Sequence, residues 1–267
     1  SEGRDEQTFS TDQDNGIVFL CTDIMDREHT QLRLLEFARD VNADLDRCGF
    51  PLCSGKIMAS NPALCLTLEE WEEKFAAWVR TPEPEALLNA TIFFDFRPLF
   101  GQFNLAERMR IALLRQTRGN PLFLRMLAAN ALTVTPPLGM IRDFVADEDP
   151  EHPGCIDLKK FGSRLFIDAA RVFALGHDVS VTNTVQRLKQ TGAAMNVSPE
   201  EVGAAIDAFN FIQLMRLRHQ HAEQQQGREG DNLIRPDDLN EVERRILKES
   251  FRQARKLQQR LKLDYQL

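Results

Sequence analysis

Strand-forming segments occur only in the first hundred residues of this 267-residue chain, and this asymmetry limits the folds that it can adopt. An apolar run rich in Ile, Val and Phe at residues 16–22 has the length of a buried strand, and "TIFFDFRPLFG" at residues 91–101 is the strongest strand signal. Between them, residues 26–48 have the apolar spacing of a helix, and Thr67 with Glu70 has the form of a capping box that starts another.

After Gly101 every periodic segment has helical spacing. The six predicted helices occupy residues 104–118, 120–132, 158–175, 181–194, 199–221 and 238–263. We therefore predict an α+β fold in which a small mixed sheet with helices occupies residues 1–103 and an all-helical bundle domain occupies residues 104–267.

Charge and cysteine content narrow the class of protein. The formal net charge of −7 repels a nucleic acid backbone, so no nucleic acid partner is expected. Five cysteines, an odd number, form no CxxC pair, which favours reduced thiols and a cytoplasmic location. No apolar run is long enough to span a membrane, so no membrane partner is expected either.

Two carboxylates, Asp12 and Asp14, precede the first predicted strand. Alternate residues of a strand share a face, so the two side chains would lie close together if the strand already includes them. Two like charges so close repel each other unless a cation such as Mg²⁺ lies between them. The alternative is a polar turn, because Asp, Asn and Gly are also turn-forming residues, and Asn15 is expected to serve the backbone rather than a substrate.

Asp95 lies in the middle of the second predicted strand. The alternation predicts Phe93, Asp95 and Arg97 on one face of that strand and Ile92, Phe94 and Phe96 on the other. A carboxylate in so apolar a strand is costly unless it is paired or bound to a metal. Two interpretations remain: an ion pair between Asp95 and Arg97, or a metal site that Asp95 shares with the first two aspartates.

These segments resemble a known family. "SEGRDEQTFSTDQDNG", "LCSGKIMASNP" and "FFDFRPLFG" are similar to the active-site region of the DNA polymerase beta-like nucleotidyltransferase superfamily, in which Asp-x-Asp follows a Gly-Ser turn. The branch that they resemble is a bacterial family of putative nucleotidyltransferases related to PII-protein uridylyltransferases. "PLFLRMLAANAL", "PPLG" and "LNEVERRILKESFRQARKLQ" are similar to the helical domain of that family.

The resemblance implies a role for each acidic residue. Asp12 and Asp14 match the metal-binding pair, Asp95 matches the third carboxylate, and Ser1 matches the serine of the Gly-Ser turn that approaches nucleotide phosphates. The sheet should accordingly be of the nucleotidyltransferase type, with Mg²⁺ or Mn²⁺ as cofactor and an NTP as substrate.

Three basic residues are candidates for binding the nucleotide. Arg4 is either a phosphate ligand or a solvated arginine, and Lys56 is either a nucleotide ligand or a surface lysine. Arg97 is either a phosphate ligand or the partner of Asp95, and the partner role is favoured.

The resemblance implies transfer of an NMP group from an NTP to a hydroxyl acceptor, with a protein side chain as a candidate acceptor in signal transduction. Such proteins usually carry upstream CBS or cyclic-nucleotide-binding domains. The glycine and strand expected before Ser1 are missing from the sequence, so we expect a truncated first strand. Two alternatives are an inactive nucleotide-sensing module and a helical interaction module built on residues 104–263.

Overall fold

A strand–helix–strand unit forms the first part of the fold. The protein is described by a computed structural model that covers residues 2–9, 13–21, 23–139, 144–145 and 152–267, except the side chains of residues 24 and 25. Strand β1 (Ile17–Phe19) and strand β2 (Cys65–Thr67) pair in parallel, with Val18 opposite Leu66. Helix α1 (Ile24–Arg47) lies between them in sequence, as parallel pairing requires a long crossover connection.

Strand β1 confirms a strand within residues 16–22, of which Thr22 lies outside the described residues, and α1 confirms the helix predicted over residues 26–48. Strand β2 was not predicted, because three residues are too few to show an alternating pattern. The turn-rich segment of residues 51–62 contributes a loop, and β2 begins three residues after it.

The predicted capping box starts helix α2 (Leu68–Arg80). The Glu70 backbone N–H donates to the Thr67 hydroxyl oxygen at 3.2 Å, and the Thr67 N–H donates to the Glu70 carboxylate at 2.8 Å. Two of the unpaired N–H groups of the first turn are thereby satisfied. The residues that α2 buries are Leu68, Trp71, Phe75 and Val79.

The strand predicted within residues 91–101 is wrong. Helix α3 (Pro84–Phe93) occupies its first part, and the residues after it are irregular. Leu87, Ala90 and Phe94 are buried at helical spacing, so the apolar run satisfies a helical period as well as a strand's. Pro84 stands in the first turn, where the missing N–H costs nothing. The alternation argued for Asp95 and Arg97 therefore does not apply.

The helical second half is confirmed. Its helices are α4 (Phe103–Arg118), α5 (Pro121–Ala131), α6 (Arg164–Gly176), α7 (Thr184–Ala194), α8 (Pro199–Gln225) and α9 (Glu241–Asp264). A π-helical turn at Lys159–Ser163 precedes α6. The expectation that this half holds no strand is wrong, since β3 (Ile156–Asp157) pairs antiparallel with β4 (Leu233–Ile234). Two-residue strands leave no periodic trace in a sequence.

The main hydrophobic cluster is shared by both halves. Side chains from α2 and α3 pack with side chains from α4, α5, α6 and α9. The apolar stripe of α9 is part of the core, because Leu247, Phe251 and Leu261 are fully buried. This removes the observation that suggested a separate helical interaction module.

The boundary between residues 103 and 104 stays a prediction. Among the described helices, none is long and apolar enough to cross a membrane.

Replacing Thr67 with Val tests the capping box. The change preserves the branched shape and removes the hydroxyl that accepts from Glu70, so the free energy of unfolding should fall by about 1 kcal/mol. Urea denaturation measures the loss. Thr133→Val is the control, because Thr133 is exposed at the end of α5, and its loss should stay within about 0.5 kcal/mol. Equal losses in the two variants would contradict the capping role.

Candidate active site

The segment of residues 13–15 is held against the loop that follows α1. The Gln13 N–H donates to the Pro51 carbonyl at 3.0 Å, and the Asn15 N–H donates to the Ile57 carbonyl at 3.1 Å. Gln13 is buried, Asn15 is half-buried, and Asp14 between them is exposed. The backbone is fixed on both sides of Asp14, so its carboxylate is presented to solvent from a well-held position.

Asn15 serves the backbone, as the sequence indicated. Its Oδ1 accepts from the Ala59 N–H at 2.8 Å and from the Asn42 side-chain amide at 3.1 Å. These contacts join the acidic segment to α1 and to the loop of residues 50–60.

Lys56 lies in a tight turn of the same loop. Its N–H donates to the Cys53 carbonyl at 3.0 Å, and its φ of +57° lies in the left-handed region. The residue is exposed, and it directly precedes Ile57, which pairs with Asn15. Exposure fits a surface lysine, while the proximity to the acidic segment fits a nucleotide ligand, so that role stays a prediction.

Asp95 lies just beyond the C-terminus of α3. Carboxylates are unfavourable there, since the last carbonyls of a helix carry partial negative charge. Arg110 relieves part of this charge: its guanidinium donates to the Phe94 carbonyl at 2.5 Å and to the Phe96 carbonyl at 2.8 Å. It also lies 4.0 Å above the Phe96 ring.

Three arginines bind the Asp95 carboxylate, and with Asp95 we call them the Asp95 cluster: Arg4, Arg171 and Arg187. Oδ2 accepts from Arg171 Nη2 at 2.7 Å and Nε at 3.1 Å, and from Arg4 Nη1 at 3.1 Å. Oδ1 lies 2.7 Å from Arg187 Nη1. The Asp95 side chain is only 2% exposed. Arg171 also donates to Asp168 at 2.6 Å, and Arg4 pairs with the buried Glu6 carboxylate at 2.9 Å, so two further carboxylates balance the charge of the three arginines.

The pKa values follow from this crowding. Burial alone raises the pKa of Asp95, but Arg171, Arg187 and Arg4 outweigh it and hold the pKa well below its usual value. Burial lowers the pKa of Arg171, yet Asp95 and Asp168 reverse this and raise it. Within the described residues Asp95 is the carboxylate that acts on Arg187, and burial together with its arginine neighbours lowers the pKa of Arg187. The lowered pKa of Asp95 and the raised pKa of Arg171 both favour the charged forms, and Asp95 is the anion that the three arginines share.

Arg97 does not pair with Asp95, so that favoured interpretation is wrong. Its Nε donates to the Glu2 carbonyl at 2.9 Å and lies 3.3 Å from an Asp5 carboxylate oxygen, and Nη2 pairs with the Glu2 carboxylate. The reason is that residues 93–97 form no strand, so the expected alternation is absent. Arg4 is not a solvated arginine: its side chain is 12% exposed and binds Glu6 as well as Asp95.

The N-terminal segment, residues 2–9, contacts the helical half directly. The Glu6 carboxylate accepts from the Thr184 N–H at 2.6 Å, at the N-terminus of α7, where negative charge is favourable. Asn183 donates to the Arg4 carbonyl at 3.0 Å, and the Phe9 N–H donates to Gln220 of α8 at 3.2 Å.

Comparison with known protein families shows the family to which the chain belongs. Residues 121–265 match the model of a family described as "Putative nucleotidyltransferase substrate binding domain". Residues 1–85 match "Putative nucleotidyltransferase DUF294". The chain belongs to this family of putative nucleotidyltransferases. The family descriptions support a general role in nucleotidyl transfer, and the chain is therefore a putative enzyme. No curated protein and no solved structure matches the chain with significance.

The candidate ligands of this putative nucleotidyltransferase are only partly brought together. Ser1 and Asp12 lie outside the described residues. Within the part of the chain that the structure describes, no group of three His, Cys, Asp or Glu side chains is arranged to hold a metal ion. The exposed carboxylate of Asp14 has the oxygen chemistry that Mg²⁺ prefers. Asp95 fits a cation poorly, because three guanidinium groups already surround it.

Sequence reasoning missed Arg171 and Arg187, which hold Asp95 from α6 and α7. The available signal for Arg171 is its place in a mostly apolar helical run, "FIDAARVFAL", where a charge must have a buried partner. Asp168, three residues before Arg171, accounts for one partner. Nothing in the sequence links either arginine to residue 95, more than seventy positions away.

Replacing Asp95 with Asn should lower the free energy of unfolding by about 3–5 kcal/mol, because it leaves buried guanidinium groups without their anion. Asp178→Asn is the control: Asp178 pairs with Arg118 at 3.3 Å on the surface, and such pairs contribute about 0–1 kcal/mol. Urea denaturation at pH 7 measures both. Similar losses for the two variants would show that the Asp95 cluster does not hold the fold.

The lowered pKa of Asp95 also predicts how the stability difference between the wild type and Asp95→Asn changes with pH. Above the pKa of about 4 that an unfolded aspartate has, Asp95 is charged in both states and its stabilisation is complete. Below that pH the unfolded chain takes up the proton while the folded protein stays ionised, so stability falls. The stability difference between wild type and Asp95→Asn should therefore be constant from pH 7 to about 5 and shrink below about 4. A difference that grows towards low pH would contradict the lowered pKa.

Proposed function

We propose that the protein is a metal-dependent nucleotidyltransferase that moves an NMP group from an NTP to a hydroxyl acceptor and releases pyrophosphate. The observation that carries the proposal is the exposed Asp14 carboxylate, presented by a segment whose neighbours Gln13 and Asn15 are anchored, in a chain of this family. Transfer of this kind needs positioning and charge neutralisation more than covalent chemistry from the protein.

In this proposal Asp12 and Asp14 hold Mg²⁺ or Mn²⁺. The metal, when bound, neutralises phosphate charge and polarises the reacting oxygens. The protein's own contribution is a fixed backbone at residues 13–15, which holds the Asp14 carboxylate in place before the nucleotide arrives. Such pre-organisation avoids an ordering cost during the reaction.

A role for Asp95 in metal binding stays a prediction, and the structure indicates what such binding would require. Both carboxylate oxygens are engaged by arginines, so a cation would have to displace at least one of them. Arg4 belongs to the N-terminal segment and approaches from outside the helical half, whereas Arg171 and Arg187 are fixed within it. The catalytic weight of the proposal therefore lies on Asp12 and Asp14.

Lys56 is the best placed of the candidate nucleotide ligands. It is exposed and lies on the loop that pairs with residues 13–15, so in this proposal its ammonium group binds a phosphate beside Asp14. Arg4 and Arg97 are engaged by carboxylates, and each would have to exchange a partner to bind phosphate. Ser1 keeps its proposed role beside the nucleotide phosphates.

We propose that the helical half binds the acceptor. The family description of residues 121–265 is that of a substrate binding domain, and Glu6 and Arg4 join the segment before Asp12 to this half. By the resemblance to uridylyltransferases, the acceptor is a protein hydroxyl in signal transduction, under the control of upstream CBS or cyclic-nucleotide-binding domains.

One observation favours a second candidate, an inactive nucleotide-sensing module. The third acidic residue of the family pattern, Asp95, is neutralised by arginines and buried. A site lacking one carboxylate can still bind a nucleotide through its remaining groups. Nucleotide binding without turnover would support this candidate.

Label transfer tests the enzyme directly. The protein is incubated with Mg²⁺, a cell lysate and each of the four NTPs labelled at the α-phosphate. We expect one NTP to label a lysate protein, EDTA to abolish the label, and Asp12→Asn or Asp14→Asn to slow transfer at least about 100-fold, because several kcal/mol of charge stabilisation are lost. Asp40→Asn, a change at an exposed position of α1, is the control and should transfer at the wild-type rate.

Two results would contradict the proposal. Transfer that survives EDTA would exclude the metal. Full activity in both Asp12→Asn and Asp14→Asn would remove the acidic pair from the mechanism.

A further inference from the structure

The side chain of Asn42, on α1, joins the two residues that flank Asp14. Its Nδ2 donates to Gln13 Oε1 at 2.8 Å and to Asn15 Oδ1 at 3.1 Å, while its Oδ1 accepts from the Ser60 N–H at 3.3 Å. Asn42 is 3% exposed. One buried amide therefore contacts both neighbours of an exposed acid and the loop beside it.

The hydrogen bonds around Asn42 use its full donor capacity. An asparagine amide has two N–H donors, and both are taken. Gln13 in turn gives its own two side-chain N–H groups to the carbonyls of Asn42 at 2.9 Å and Phe50 at 2.7 Å. A closed network of this kind permits one arrangement, because any other leaves buried polar groups unpaired.

This network fixes the direction of Asp14. Side chains in an extended segment alternate, so two inward-facing residues separated by one position turn the residue between them outward. A shift by one residue would bury the Asp14 carboxylate and expose both amides. Asn42 resists that shift, since only the observed register presents Gln13 Oε1 and Asn15 Oδ1 to its two donors.

We propose that Asn42 is a positioning residue for the Asp14 carboxylate, and that it sets the metal affinity of the acidic pair without touching metal or nucleotide. The proposal rests on the proposed function, in which Asp14 is a metal ligand. An amide suits the task because it supplies two donors and no charge, so it neither competes for a cation nor repels the carboxylate. Outer groups that orient a metal ligand typically change metal affinity 10–100-fold when they are removed.

Mn²⁺ binding tests the proposal without requiring turnover. Binding removes the electron paramagnetic resonance signal of free Mn²⁺, which gives a dissociation constant for the whole chain with the metal alone. Asn42→Ala should weaken binding at least about 10-fold. Asn120→Ala is the matched control: Asn120 also uses both sides of its amide, donating to the Val79 carbonyl at 2.7 Å and accepting from the Phe123 N–H at 3.0 Å, but in the helical half. It should bind Mn²⁺ as the wild type does.

A double variant separates positioning from general damage. If Asn42 acts through Asp14, then Asn42→Ala adds no further loss of Mn²⁺ affinity in an Asp14→Asn background. Additive losses would overturn the proposal. Asn42→Ser, which keeps an acceptor for the Ser60 N–H and one donor, replaces the alanine variant if that one fails to fold, and it should give an intermediate affinity.

The outcomes distinguish the two claims. If Asp14→Asn binds Mn²⁺ as tightly as the wild type, the metal role of Asp14 fails and the role of Asn42 falls with it. If Asp14→Asn weakens binding while Asn42→Ala and Asn42→Ser do not, only the role of Asn42 is overturned.

Discussion

The ionic contacts of Asp95 connect parts of the fold that are far apart in sequence. Its carboxylate binds Arg4 of the N-terminal segment, Arg171 of α6 and Arg187 of α7. The group is buried, so each charge depends on the others for its solvation. Removing the Asp95 carboxylate would take away the anion that the three guanidinium groups share in a medium of low dielectric. The Asp95 carboxylate therefore adds an ionic link between the N-terminal segment and the helical half to the hydrogen bonds that Glu6, Arg4 and Phe9 make there.

The segment of residues 13–15, which carries Asp14, is held in place by uncharged groups. Around Asp14 the backbone and the amides of Gln13, Asn15 and Asn42 provide the fixed contacts. A cation is more easily accepted beside an exposed carboxylate than beside one enclosed by arginines. Asp14 and Asp95, which the sequence analysis placed in one possible metal site, thus have different environments, and metal binding is proposed for the exposed Asp14.

The sequence predicted those elements that have a local cause. The long helices follow from apolar periodicity, and the start of α2 follows from the Thr67 and Glu70 capping box. The strand at residue 95 was wrong because a run such as "TIFF" suits both strand and helix, and burial against α2 and α5 decides between them. Arg171 and Arg187 were missed, since an ion pair across more than seventy residues has no local pattern. Asn42 was missed for the same reason: it lies on a polar stretch of α1, and only the fold shows that it is buried.

The most direct measurement is a crystal structure of the protein soaked with Mn²⁺ and a non-hydrolysable NTP analogue, with anomalous scattering used to locate the metal. The account predicts a manganese peak about 2.1 Å from carboxylate oxygens of Asp12 and Asp14, with Asp95 still bound by Arg171 and Arg187. A peak on Asp95 with those arginines displaced, or a nucleotide bound with no manganese at Asp14, would contradict it.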